Sequence, residues 1–268
     1  MKKLITVLLV ILMASAVVFA GGKKDTADNS LENVKNAGVF TLGLDDSFPP
    51  YGYRDEDNNI VGYDIDLASE VCNRLGVKLV CQPIDWDSKE QELNTGKIDC
   101  IWNGFTITDE RLEAMEFTAP YVDNSQILVV NKDSGIKKLA DMNGKNLGLQ
   151  AGSSAADALD EAAAFKATLR NVVEFKDNLT ALMDLEIKGV DAVLLDIGVA
   201  QQAIEKEGKP FVIISEAVAS EQYGVGFRKG DVALRDAVQG ALEEMVKDGT
   251  MEKLDQKWFG ESKSVIGK

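Results

Sequence analysis

A strand-to-helix junction in the first half of the chain carries the residues best suited to binding an anion. An apolar run breaks at Gly104 and is followed by a helix that Thr108 can cap. Arg111 falls in the first turn of that helix, where the macrodipole favours a carboxylate over a cation. A guanidinium beside free backbone N–H groups suits a bound carboxylate, because it can donate two parallel hydrogen bonds. The alternative is a surface ion pair with Glu113 or Glu116.

Two further junctions of the same kind follow. Gln150 ends an apolar run and leads into Ser154, where free N–H groups at a helix start can bind an anion. Ser154 and Asp157 also fit a capping box, so a well-capped helix is the alternative. Asp196 ends another apolar run. It can cap the next helix, or it can bind an ammonium group, since a partly desolvated carboxylate is costly when unpaired.

Aromatic residues stand at the ends of predicted strands rather than within them. Phe48 and Tyr51 follow the first strand, and Trp86 follows the second. As a group they can enclose an apolar side chain or a cation, the latter by cation–π attraction, and plain packing is the alternative. Asp45 adds a carboxylate to the first of these loops.

The composition excludes several classes of function. The 268 residues contain no histidine, which excludes Ser-His-Asp and Cys-His catalysis and any histidine-containing metal site. The net charge of −15 argues against nucleic acid as a partner. Three cysteines, an odd number, predict buried free thiols rather than a disulfide framework. We expect no catalytic residue, no metal site and no cofactor.

The N-terminus has the pattern of an exported protein. Lys2 and Lys3 precede an apolar run that ends at Phe19, and Ala20 offers a small residue before a cleavage site. Residues 1–20 are therefore predicted to be a signal peptide and residues 21–30 a flexible leader. We expect a soluble periplasmic protein after cleavage, and a retained membrane anchor is the alternative.

The order of predicted elements places the three junctions in an α/β protein with two lobes. Strands and helices alternate from Val39 to Trp102, and Asp64 is expected to cap the first long helix. An extended passage follows, and then the alternation restarts. The predicted elements of this second half are strand 145–149, helix 154–165, strand 171–175, helix 179–188, strand 191–195, helix 197–207 and strand 211–214. Crossings near 124 and 219 would give one lobe from 31–123 plus 219–264 and another from 124–218.

With these stretches in hand, the chain resembles the family 3 extracellular solute-binding proteins, the amino-acid receptors of ABC importers. The resemblance covers nearly all of residues 31–260. It rests on FPPY at 48–51, GYDID at 62–66, GFTITDER at 104–111, FTAPY at 117–121, DAVLLD at 191–196, YGVGF at 223–227 and KWFG at 257–260.

The resemblance implies a two-lobed periplasmic-binding-protein type II fold, each lobe a mainly parallel sheet flanked by helices. A free L-amino acid would bind between the lobes, which would close by hinges near 121–125 and 219–223. The implied partners are this ligand and the permease of an ABC importer, and the chain would act as a monomer. The implied ligand-binding residues are Asp45, Phe48, Tyr51, Trp86, Asn103, Gly104, Phe105, Thr106, Arg111, Gln150, Ser153, Ser154 and Asp196.

Within this set, the resemblance divides the roles between the two charged groups of the ligand. Arg111, with the backbone of Thr106 and Ser154, would hold the α-carboxylate. Asp196, the Gly104 carbonyl and the Thr106 hydroxyl would hold the α-ammonium.

The resemblance gives the side chain of the ligand to the other end of the site. Phe48 and Trp86 would cover it, and Asp45 and Gln150 would face its far end. Acidic residues near the aromatics favour a polar or basic side chain, as in arginine, lysine or glutamine. A cystine-binding protein and a dehydratase-like enzyme on the same fold are the alternatives.

Overall fold

The computed structural model describes residues 28–268, so the predicted signal peptide and most of the predicted leader lie outside the described residues. Strands of this region form two five-stranded sheets and a small three-stranded sheet. None of the helices in residues 28–268 has the length and apolarity of a membrane span.

The first sheet has the strand order β5-β1-β6-β13-β7. Its strands are β1 (Val39–Leu44), β5 (Lys78–Pro83), β6 (Cys100–Ile101), β7 (Met115–Phe117) and β13 (Gly226–Arg228). β1 is parallel to both β5 and β6, whereas β13 is antiparallel to β6 and β7. The helices of this part are α1 (Ser30–Ala37), α2 (Tyr63–Leu75), α3 (Lys89–Asn94), α4 (Asp109–Ala114), α9 (Val232–Lys247) and α10 (Thr250–Phe259). The small sheet joins β2 (Ser47–Phe48), β3 (Gly52–Arg54) and β4 (Ile60–Val61).

The second sheet has the order β10-β9-β11-β8-β12. Its strands are β8 (Val122–Asn131), β9 (Asn146–Gln150), β10 (Asn171–Phe175), β11 (Ala192–Asp196) and β12 (Phe211–Tyr223). β9 is parallel to β10 and β11, whereas β8 is antiparallel to β11 and β12. The helices here are α5 (Ser154–Glu161), α6 (Ala163–Lys166), α7 (Asn178–Glu186) and α8 (Ile197–Gln201).

The predicted two-lobed α/β architecture is confirmed. Each large sheet is mixed rather than mainly parallel, with two parallel and two antiparallel pairings, because β13 and β8 run antiparallel to both of their neighbours. The residue boundaries given above for the two lobes stay a prediction. All three cysteines are free thiols, with Cys72 and Cys100 buried and Cys81 half-buried.

The central strands explain why the site lies where it does. β11 (AVLLD) is buried at every position, as expected of a strand covered by helices on both faces, and its last residue is Asp196. β1 ends at Leu44, so Asp45 comes directly after it. Because ligands of open α/β sheets bind beyond the carboxyl ends of the strands, both carboxylates belong at the cleft between the sheets.

Three predicted elements differ from the structure. The predicted helix 154–165 is divided at Ala162 into α5 and α6, and the predicted helix 197–207 is α8 followed by a π-helical turn, Gln202–Lys206. The predicted strand 211–214 continues as β12 to Tyr223. The second half of β12 lacks the apolar alternation that predicts a strand, and antiparallel pairing with β8 holds it extended.

Candidate ligand-binding site

Eleven of the thirteen predicted site residues line one cavity between the carboxyl ends of the two sheets. The volume that the centre of a water molecule can reach in this cavity is about 10 Å³, so its walls lie close together. Its lining consists of Asp45, Phe48, Trp86, Asn103, Gly104, Thr106, Arg111, Gln150, Ser153, Ser154 and Asp196. Residues 28–268 contain no group of three or more acidic or cysteine side chains placed to hold a metal ion.

Tyr51 and Phe105 are the two predicted residues that do not line this cavity. Tyr51 is buried behind Phe48, with ring centroids 5.6 Å apart. Phe105 is fully buried and meets Trp86 edge-on at 5.7 Å. The Arg111 guanidinium lies over the Phe105 ring at 4.6 Å. Both rings therefore support side chains of the cavity wall from behind.

Arg111 is a buried cation with few partners. Arg111 belongs to α4, and Thr108 caps the start of this helix as predicted from the sequence, because its hydroxyl accepts from the Arg111 backbone N–H. Its Nη1 donates to the backbone oxygen of Thr106 at 2.8 Å, and burial lowers the pKa of Arg111. In the described chain its one ion-pair partner is Asp157, at 3.7 Å and half exposed, so the pair with Glu113 or Glu116 considered above is wrong. The guanidinium keeps donors for an anion in the cavity.

Ser154 faces the cavity rather than capping its helix. Ser153 is the N-cap of α5 and no side chain caps that end, so the predicted capping box with Asp157 is wrong. The Ser154 hydroxyl instead lies 3.0 Å from the hydroxyl of Thr106, which comes from the other side of the cleft. Ser153 donates to the backbone oxygen of Gln150 at 2.7 Å and keeps the turn compact. The hydroxyl groups of Thr106 and Ser154 thus meet across the cleft.

Asp196 also does not cap the helix it precedes. Its Oδ1 accepts hydrogen bonds from Asn124 at 2.5 Å, Gln126 at 3.0 Å and the Tyr223 hydroxyl at 2.6 Å. Burial raises the pKa of Asp196, and the nearby Glu221 carboxylate raises it further. All three side-chain hydrogen bonds end on Oδ1, so Oδ2 is available to a donor in the cavity.

The opposite end of the cavity is built from Asp45 and Gln150. Asp45 Oδ2 accepts from Gln150 Nε2 at 2.8 Å, Oδ1 accepts from the Ser47 N–H at 2.9 Å, and burial raises the pKa of Asp45 to about 6. Gln150 Nε2 also donates to the Lys176 carbonyl, and Gln150 Oε1 accepts from Asn178 at 3.2 Å. Because the Lys176 carbonyl can only accept, the Gln150 side-chain amide is held with its nitrogen toward Lys176 and cannot rotate by 180°. This end therefore presents a carboxylate to the cavity.

Asp64 supports the cavity wall from below. It was expected to cap α2, but Gly62 is the N-cap and the Asp64 side chain is fully buried. Its Oδ2 accepts from the Gly104 N–H at 2.6 Å and from the Tyr121 hydroxyl at 2.9 Å, and burial raises the pKa of Asp64 to about 7. Gly104 has φ 54°, and a Cβ there would lie 2.7 Å from the Phe48 ring. Only glycine fits this turn.

Lys89 bridges the cleft and was not predicted. Its Nζ donates to the Gly152 carbonyl at 2.8 Å and to the Trp86 carbonyl at 3.3 Å, and it lies 5.4 Å from the centre of the Trp86 ring. Burial, and then the Arg111 cation, lower the pKa of Lys89 to about 8. Lys89 opens a short charged helix that resembles any solvated segment, so no sequence signal distinguishes it.

Four polar residues of the crossing strands were also missed: Asn124, Gln126, Glu221 and Tyr223. The sequence did contain a signal for them. Asn124 and Gln126 are two positions apart, as are Glu221 and Tyr223, so each pair lies on one face of its strand. Polar side chains that share one face of a buried strand are unusual in a core and typical of a site.

Known protein families and sequences match most of this chain. Residues 40–261 match the family model described as bacterial extracellular solute-binding proteins, family 3. L-cystine-binding protein TcyJ of Escherichia coli (strain K12) is 32% identical over 257 residues, which cover 92% of this chain and 93% of that protein.

Solved structures with a similar fold include two that contain a bound amino acid. One is an ABC uptake transporter substrate-binding protein from Streptococcus pneumoniae with bound histidine, at TM-score 0.86 and 37% identity, with 89% of this chain and 99% of that chain covered. The other is an ancestral arginine-binding protein bound to arginine, at TM-score 0.78 and 39% identity, with 83% and 99% covered. These structures confirm the predicted fold class.

Proposed function

The chain belongs to family 3 of the bacterial extracellular solute-binding proteins, and from that membership we propose that it binds a free L-amino acid between its lobes. The observation that carries the proposal is that Arg111 and Asp196 line the same cavity. One is a buried guanidinium with donors to spare, and the other is a buried carboxylate with an oxygen to spare. A zwitterion supplies a partner to each.

The groups that neighbour Arg111 and Asp196 add further hydrogen bonds to the proposed ligand. The α-carboxylate binds Arg111 and the free N–H groups at the start of α5, beside Ser154. The α-ammonium binds Asp196 Oδ2, the Gly104 carbonyl and the Thr106 hydroxyl. Thr106 and Ser154 come from opposite sides of the cleft, so a ligand held by both favours the closed arrangement of the lobes.

The far end of the cavity favours a side chain that donates hydrogen bonds. Asp45 can accept from a guanidinium, an ammonium or an amide, and Phe48 and Trp86 enclose the methylenes. Arginine, lysine and glutamine fit this chemistry. Cystine also fits, since its second α-ammonium could reach Asp45.

In the cell we propose that the chain is exported, acts as a monomer and presents its ligand to the permease of an ABC importer. It releases the amino acid unchanged. The family is extracellular, and the similar proteins of Escherichia coli and Streptococcus pneumoniae described above are named for binding rather than for catalysis. Hinges near 121–125 and 219–223 would move residues 124–218 against the rest of the chain.

The test is a thermal-shift screen of the purified protein against all common L-amino acids and L-cystine, with calorimetry on each hit. A ligand that binds the folded state raises the melting temperature by linkage, and we expect the largest rise with arginine, lysine, glutamine or cystine. Asp196→Asn removes the ammonium site, and Asp57→Asn, in an exposed hairpin, is the matched control. No shift with any amino acid would rule out the proposed function.

A further inference from the structure

We propose that Glu221 is a positioning residue for the amino-group end of the site: it orients the hydroxyl of Thr106 and controls the charge of Asp196. This inference rests on the proposed function. Glu221 lies near the end of β12, a strand that crosses between the lobes. It does not line the ligand cavity but a groove on the outer side of Thr106 and Ser154, so it acts through its neighbours.

One carboxylate oxygen of Glu221 lies within hydrogen-bond distance of four donor groups. Its Oε2 lies 3.0 Å from the Thr106 hydroxyl, 3.2 Å from the Ser154 hydroxyl, 3.1 Å from Asn124 Nδ2 and 3.0 Å from Gln126 Nε2. Thr106 belongs to the loop after β6, whereas the other three residues belong to the second sheet or the helix that follows β9. A single carboxylate therefore joins groups from both sides of the cleft.

The bond to Glu221 determines what Thr106 can do in the cavity. A hydroxyl has one proton and two lone pairs, and a carboxylate only accepts. When the Thr106 hydroxyl donates to Glu221, its lone pairs are left for another donor. That arrangement makes Thr106 an acceptor for an ammonium group and disfavours it as a donor to a carboxylate.

Asn124 and Gln126 connect Glu221 to Asp196. Each amide donates to both carboxylates, with Asn124 at 2.5 Å and Gln126 at 3.0 Å from Asp196 Oδ1. The amide oxygens of Asn124 and Gln126 are buried without a partner in the described chain. Buried polar atoms rarely lack partners, so the two amides turn their N–H groups toward the carboxylates at the expense of their own oxygens.

The two carboxylates share these amides within one sheet. Asp196 pairs with Gln126 between β11 and β8, and Glu221 pairs with Asn124 between β12 and β8. Strand pairing within one sheet therefore holds the backbones of the two residues near each other. The Tyr223 hydroxyl also donates to Asp196, and Arg111 faces the same end of the cavity.

The direction in which Glu221 changes the pKa of Asp196 follows from the proximity of the two carboxylates. Burial raises the pKa of Asp196 and the charge of Glu221 raises it further, so Asp196 takes up a proton at a higher pH than it would alone. Protonation removes the charge that an ammonium group needs. Binding should weaken as the pH falls through the pKa of Asp196, and Glu221 should set where that weakening begins.

The experiment compares Glu221→Gln with Glu174→Gln, an exposed strand glutamate with no side-chain hydrogen bond in the described chain. For the best ligand of the screen, we expect Glu221→Gln to bind about ten-fold more weakly at pH 8. The loss of affinity on acidification should also begin about one pH unit lower than in the wild type. Glu174→Gln should change neither quantity. Affinity within two-fold of wild type and an unmoved pH profile would overturn the proposal.

Two further measurements separate this proposal from the proposed function. Carbon-13 NMR of the ligand-free protein follows the titration of Asp196 directly, and we expect Glu221→Gln to lower the pKa of Asp196 whether or not any amino acid binds. Glu221→Asp keeps the charge but shortens the reach, so it should preserve the Asp196 titration and still weaken binding. An Asp196 titration that is unchanged in Glu221→Gln contradicts the proposal, whereas a wild type that binds no amino acid contradicts only the proposed function.

Discussion

The two ends of the cavity each contain a buried carboxylate at the carboxyl end of a central strand, yet the two are bonded differently. Asp196 receives three side-chain hydrogen bonds on one oxygen and none on the other. Asp45 receives one on each oxygen, from Gln150 and from the Ser47 N–H. One end is thus open to a new donor, and the other already has a partner for each oxygen.

If the proposed function holds, this difference separates recognition of the ligand class from recognition of the side chain. An ammonium group would then complete the site at Asp196, and a carboxylate would complete the site at Arg111. At the Asp45 end, a ligand must share an acceptor with Gln150 or displace it. We expect the α-groups to supply most of the affinity and the far end to adjust it, because an unpaired buried charge costs more than a shared hydrogen bond.

The largest effect on binding is expected for Asp196→Asn. The change keeps the shape and an acceptor for the neighbouring amides but removes the charge opposite the ammonium. We expect at least about 100-fold weaker binding of every ligand, measured by calorimetry. Circular dichroism should show an unchanged fold. A loss confined to one amino acid would show that Asp196 reads the side chain instead.

Arg111→Lys tests the other half of the same end. Lysine keeps the charge but cannot donate two parallel bonds to a carboxylate, and it loses the stacking on Phe105. We expect about 30-fold weaker binding, again for every ligand. Equal affinity of the variant and the wild type would mean that Arg111 acts only as a distant charge.

Asp45→Asn should have a smaller and selective effect. The variant keeps an acceptor for Gln150 but loses the charge at the far end. We expect about ten-fold weaker binding of arginine and lysine and less than about two-fold for glutamine. Calorimetry with the three ligands measures the ratio. A uniform loss across all three would place Asp45 among the α-group residues and remove the contrast between the two ends.

The smallest expected effect concerns the pH dependence of stability without ligand. Burial raises the pKa of Asp45 to about 6 and that of Asp64 to about 7, above the ordinary value of 3.8. A carboxyl group whose pKa is raised by folding contributes its whole stabilisation below the pKa that it has in the unfolded chain. That stabilisation is lost as the pH rises through the folded-state pKa values of about 6 and about 7.

We therefore expect the melting temperature of the ligand-free protein to be at least about 3 °C higher at pH 5 than at pH 8. Asp64→Asn should reduce this dependence, since its side chain does not titrate, whereas the contribution of Asp45 remains. Scanning calorimetry at both pH values is the measurement. A melting temperature that falls on acidification would contradict the assigned pKa directions.

Much of the cavity could be predicted from the sequence because its residues follow apolar strands directly. Gly104 comes three residues after the buried strand β6, Asp196 is the last residue of the buried strand β11, and parallel strands bring their carboxyl ends to one edge of a sheet. Local pattern failed for Ser154 and Asp64, which look like ordinary helix caps. Both side chains are drawn into contacts with residues more than 35 positions away, and no local rule describes such contacts.

The sequence by itself determined the α/β class and the strand-to-helix junctions that line the cavity, including one arginine and one aspartate. Each depends on residues close together in the chain, where apolar runs, glycine and helix starts have local physical consequences. The tertiary structure alone decided that Glu221 reaches Thr106, that Lys89 spans the cleft and that Gln150 engages Asp45. These contacts require two antiparallel crossing strands and two sheets that meet end to end, and residues distant in sequence acquire their partners only when the sheets pack.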